Sequence, residues 1–146
     1  MNIEQGLTIL DFRSKQTGIF KSNMNKHDRE ERLISIAVLI IEIVEEMPDT
    51  KAANHLAGQL LRSGTSPLSN HGEAESAESM SDFCHKLRIC LKELRESKRW
   101  LRLIHKVLEP ANQSDIKSLL NETDELIRIF VTSIKTAEKR KKEPSN

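Results

Sequence analysis

Arg88, Lys92, Arg95, Arg99, Arg102 and Lys106 are spaced 4, 3, 4, 3 and 4 residues apart. On a helix, at about 100° per residue, all six fall within roughly 80° of one another. Three like-charged i, i+4 pairs recur (88/92, 95/99, 102/106), and each opposes an isolated helix by a few tenths of a kcal/mol. A face that concentrates positive charge in this way suits a polyanion, above all a nucleic-acid backbone, where binding releases counterions. The basic run from Lys139 to Lys142 could add phosphate contacts. The plainer use of the stripe is a solvated face, or ion pairs with Glu42, Glu45, Glu46 or the acidic run around Glu73, Glu75 and Glu78.

Other reactive residue types form weaker patterns. Asp82 and His85 have the i, i+3 spacing of half a di-iron motif, but such sites need two such motifs and further carboxylates from facing helices. The acids before them fit a helix N-terminus better than a metal, so no metal and no cofactor is expected. Cys84 and Cys90 stand six residues apart, about 9 Å along a helix, too far for a disulfide within it. Reduced thiols packed as small hydrophobes, in a cytoplasmic protein, are expected. No Ser-His-Asp or Cys-His arrangement and no phosphate loop is present, so the expectation is a non-enzymatic protein.

Four helices are predicted to carry these residues. The first runs from about Asp28, a candidate N-cap with Glu31 three residues on, to Met47 before Pro48. Its middle, LISIAVLIIEIV, is apolar almost all round, where a monomer's surface helix would show one stripe. It is too short for a membrane span and Glu42, Glu45 and Glu46 interrupt or follow it. A subunit interface through Ile36, Ile40 and Ile43 is therefore expected. The second helix starts at Asp49 or Thr50 and should break or kink between Ser63 and Gly72, where Pro67 cannot donate to the preceding turn. Arg62, Asn70 and Glu73 are expected to stabilise the turn made there.

The third helix, Ser79 to Leu108, has a heptad seam at Met80, Leu87, Leu94, Leu101 and Leu108, with Phe83, Cys84, Cys90, Leu91 and Ile104 between. Trp100, with Leu103, Val107 and Ile89, forms a second apolar patch away from the seam, and Trp100 and Leu103 are expected at a subunit contact. The fourth helix, from about Ser114 to Lys139, repeats apolar residues at Ile116, Leu119, Leu126, Phe130, Ile134 and Ala137.

At 146 residues, 37% hydrophobic and 31% charged, with five Gly, four Pro, one Trp and no Tyr, the chain suits one all-α domain with an aliphatic core. Short connections make neighbours antiparallel, an up-and-down four-helix bundle. Residues 26–139 are expected to form it, between an irregular extension (1–25) and a basic or polar tail (140–146). The net charge of +1 does not by itself indicate a nucleic-acid partner, though separated patches hide within a neutral total.

The segment QLLRSGTS, then SN, an acidic run and DFCHKLRICLKELRESKRWLRLI resembles the bacterial four-helix-bundle proteins encoded in intervening sequences of large-subunit ribosomal RNA genes. Gln59, Arg62, Ser66, Asn70, Glu73, Phe83, Lys92 and Glu93 carry the resemblance, which spans roughly Met24 to Ala137. The chain departs from it at Pro67, Leu68, His71 and Gly72, where a SIGAN- or SIPSN-like turn is usual. The resemblance implies a left-handed bundle assembling as a ring-shaped homopentamer. A similar accessory protein of diversity-generating retroelements implies RNA, DNA or a reverse-transcriptase-like protein as partner. A protein–protein adaptor without nucleic-acid affinity is the competing expectation.

Overall fold

The computed structural model describes residues 26–107 and 113–144. The extension 1–25 and the heptad residue Leu108 lie outside the described residues. Within them the chain forms α1 (Lys26–Glu45), α2 (Lys51–Glu75), α3 (Met80–Val107) and α4 (Gln113–Lys142).

Local chemistry accounts for several of the helix ends. Asp28 sits inside the first turn of α1, where a carboxylate complements the helix dipole, and does not cap it. Thr50 has extended backbone and caps α2, its hydroxyl accepting from the Ala53 N–H at 3.2 Å. Ser79 does the same for α3, accepting from the Asp82 N–H at 3.0 Å. α4 continues to Lys142, so its final basic turn belongs to the helix, where cations suit the C-terminal end of the dipole.

The expected break in α2 does not occur. The helix runs unbroken through Ser63–Gly72 with Pro67 inside it. Tertiary contacts outweigh the missing N–H there. Ser63, Gly64, Pro67, His71 and Ala74 form one buried face. Ser97 of α3 donates to the Ser63 hydroxyl at 2.9 Å, and the Cys90 thiol donates to the Pro67 carbonyl at 3.4 Å. Arg62, Asn70 and Glu73 therefore serve no turn. The Asn70 amide donates to the carbonyl and hydroxyl of Ser66 one turn back, while Arg62 and Glu73 reach across to α3.

Cross-helix pairs fix the direction of each neighbour. Along α2, Arg62, Pro67 and Glu73 meet Glu93, Cys90 and Lys86 of α3 in descending order. Along α3, Arg88 and Lys98 meet Glu138 and Asp124 of α4. Arg32 of α1 bonds Glu122 at 2.7 Å and lies 3.3 Å from Glu125. Chain neighbours pack antiparallel, α2 on α3 most extensively, and α4 closes thinly on α1. This is an all-α, up-and-down four-helix bundle.

Its core is aliphatic: Leu33, Ile36, Ile40, Leu60, Leu87, Leu94, Leu101, Ile104, Ile116, Leu119 and Leu126, with Phe130 the one large ring fully buried among the described residues. Each such side chain contributes roughly 1.5–3 kcal/mol on burial. The α3 seam is buried from Cys84 to Ile104, but Met80, at the first residue of the helix, is exposed. α1 approaches α2 at Gly64. A Cβ there would overlap Ile40 Cδ1 and lie 3.3 Å from its Cγ2.

Candidate nucleic-acid interface

The solvent face of α3 holds the basic row. Lys92, Arg95, Arg99, Arg102 and Lys106 are all exposed, and none has a carboxylate partner among the described residues. Arg88 differs, because Glu138 of α4 pairs with it. The helix brings the six together over about 27 Å. The antiparallel fold then sets the last turn of α4 beside the first turns of α3, where Lys141 donates to the Ser81 hydroxyl at 3.3 Å. Lys141 thus extends the cationic surface beyond Arg88, a juxtaposition that sequence spacing does not reveal.

Apart from Glu138, the carboxylates of Glu73, Glu75, Glu93 and Glu96 are engaged away from the row. Glu93 is only 7% exposed and bonds Arg62 at 3.1 Å, and Arg62 also pairs with Glu96. Glu73 pairs with Lys86, and this hydrogen bond lifts the Lys86 ammonium above its ordinary pKa. Glu75 faces the buried His71 at 3.7 Å. Among the described residues no three His, Cys, Asp or Glu side chains gather in a group that could hold a metal ion. Asp82 and His85 remain on the outer side of the first turns of α3. Both cysteines are buried, and burial pushes the Cys90 thiol up to about 12.

Two of the three α1 residues expected at a subunit contact, Ile36 and Ile40, instead face inward. Ile36 and Ile40 are 1% and 0% exposed, part of the bundle's own core, and Ile43 is half-buried against that core. The opposite side of α1 nevertheless carries apolar residues. Ile34 and Val38 are half-buried and Ile41 is 43% exposed, one turn apart along the helix. On α3, Trp100 is half-buried against the core, while Leu103 and Val107 are 41% and 57% exposed. The Trp100 N–H donates to Glu96 Oε1 at 3.3 Å, and the His55 ring meets the indole edge-on, with centroids 6.4 Å apart.

Residues 28–132, spanning nearly all of α1, the whole of α2 and α3 and most of α4, match the model of the 23S rRNA-intervening sequence protein family. The chain belongs to this family. The crystal structure of a protein with unknown function from the S23 ribosomal protein family of Bacteroides thetaiotaomicron shares the fold at a TM-score of 0.69 and is 30% identical, over 77% of this chain and 99% of that one. No curated protein matches the chain. The resemblance expected over roughly Met24 to Ala137 is thus matched across residues 28–132, including the segment through Pro67 that departs from the usual pattern. No helix among the described residues is long and apolar enough to cross a membrane.

Proposed function

We propose that this intervening-sequence protein is a non-enzymatic, self-associating scaffold that binds nucleic acid or a ribonucleoprotein through the outer face of α3. The observation that carries this reading is the row Lys92, Arg95, Arg99, Arg102 and Lys106, exposed and without ion-pair partners among the described residues. Solvated cations in a row attract a polyanion over a Debye length and gain affinity by releasing its counterions. Lys141, in the basic last turn of α4, lengthens the same surface. The family's name links it to ribosomal RNA genes, which makes RNA the first ligand to try. Self-association, with a homopentameric ring as the specific form, would use the outer side of α1 at Ile34, Val38 and Ile41, and would multiply a weak site by the number of copies.

Fluorescence anisotropy with labelled single- and double-stranded RNA and DNA across a salt series tests the reading. Affinity should fall steeply with salt, the slope counting neutralised phosphates. Arg95→Glu, Arg99→Glu and Arg102→Glu together should abolish binding with the helical circular dichroism unchanged. Binding that survives the triple reversal would remove the row from the site. The alternative, a protein–protein adaptor without nucleic-acid affinity, draws on the apolar outer side of α1 and leads if no nucleic acid binds at low salt.

A further inference from the structure

Around α3, the apolar residues Trp100, Leu103 and Val107 lie roughly 60–120° from the centre of the cationic row, directly beside Arg99, Arg102 and Lys106. Leu103 and Val107 are exposed. The indole is held in place by its hydrogen bond to Glu96 and by the perpendicular ring of His55. Glu96 is itself paired with Arg62, so the carboxylate that fixes the ring does not confront a phosphate with a bare charge.

Whatever covers this strip has to satisfy an apolar, partly aromatic surface and three adjacent cations together. A single nucleic-acid strand offers both on every nucleotide: an unstacked base face and a phosphate. A duplex offers only the phosphates, since its base faces are taken up in the stack. A second copy meeting this strip with its own would set like cations against each other. We infer that Trp100, Leu103 and Val107 form a platform for the bases of a single-stranded nucleic acid whose backbone follows Arg99, Arg102 and Lys106. This rests on the basic row as the binding face and adds to it a preference for unpaired strands.

The chain has one Trp and no Tyr, so its intrinsic emission reports on this strip. Labelled oligouridylate and a blunt RNA duplex of equal length are titrated with the full-length protein, and label anisotropy and Trp emission are followed together. The single strand should bind about tenfold tighter than the duplex and alone should perturb Trp100 emission. Trp100→Phe should keep the preference. Trp100→Leu should weaken single-strand binding about tenfold and leave duplex binding unchanged. If Trp100→Leu fails to fold, Leu103→Ser with Val107→Ser, both at exposed positions, carries the same expectation.

Salt-sensitive binding with equal affinity for both ligands and unmoved Trp emission would overturn the platform and leave the basic row standing. Absence of binding to either ligand at low salt would overturn both. Trp emission that follows protein concentration and ignores RNA would assign the strip to a second copy, one presenting the Glu-flanked side of α1 for instance, and would also overturn the platform.

Discussion

Cys90 shows how a reactive residue type is made inert by position. Its thiol donates to the Pro67 carbonyl inside the α2–α3 contact, and desolvation there raises its pKa from 9.0 to about 12. Both cysteines should resist a thiol reagent in the native protein at neutral pH and react on unfolding, a difference that an absorbance assay with and without denaturant reads directly. The titration also has a thermodynamic consequence. Between pH 9 and about 12 the unfolded thiol releases its proton while the folded Cys90 keeps it. The folded state therefore binds more protons, and this group's contribution to stability is intact below pH 9 and is lost as pH rises toward 12. A denaturation midpoint that rose through that range would contradict the assignment. At this scale the sequence conveyed burial well, because Cys84 and Cys90 fall on the apolar period of α3. Partner choice was less legible: nothing in spacing links Arg88 to Glu138, fifty positions away, or leads Arg62 to a carboxylate as sheltered as Glu93.

Helix α2 is the element where local rules and tertiary packing part. Two glycines, a proline and several Ser/Thr residues between Ser63 and Gly72 read as a turn, and each would weaken an isolated helix. Here the small side chains form the surface on which α1 and α3 close, so packing recovers what propensity loses. The three glycines of α2 separate the two effects. A Cβ at Gly64 collides with Ile40, a fully buried side chain with little room to yield. At Gly58 and Gly72 a Cβ meets nothing within 4 Å. Gly64→Ala should therefore destabilise the bundle by ~1–3 kcal/mol through overpacking. Gly58→Ala and Gly72→Ala should each stabilise it by ~0.5–1 kcal/mol through reduced backbone entropy of the unfolded chain. Urea midpoints at constant m-value measure all three. Equal signs at the three positions would mean that propensity alone governs α2. The other helices were legible because period and caps agree: α4 buries Ile116, Leu119, Leu126, Phe130, Ile134 and Ala137 at the spacing that announced them.

For the whole molecule the telling element is α1, whose apolar residues exceed what one packed side requires. Periodicity could say that α1 is apolar on two sides, yet it could not say which side the bundle takes. The choice falls to the contacts with α2 and α4: Ile40 meets Gly64, Arg32 meets Glu122, and Ile36 and Ile40 turn inward. Ile34, Val38 and Ile41 are left outward, spaced as a helix-wide strip, and a strip of this kind is where self-association would be expected. Adjacent positions then give opposite experiments. Ile40→Asp places an uncompensated carboxylate in the core and should unfold the chain, lowering stability by several kcal/mol. Ile41→Asp changes a side chain already 43% exposed and should leave helicity and the urea midpoint of the isolated subunit within about 0.5 kcal/mol. Under the proposed self-association its effect should appear in mass, as a shift toward monomer relative to the parent chain in light scattering at equal concentration. An Ile41→Asp protein of unchanged mass would move the self-contact off α1. A folded Ile40→Asp protein would contradict the inward placement of that residue, and with it the α1–α2 packing on which the outer strip depends.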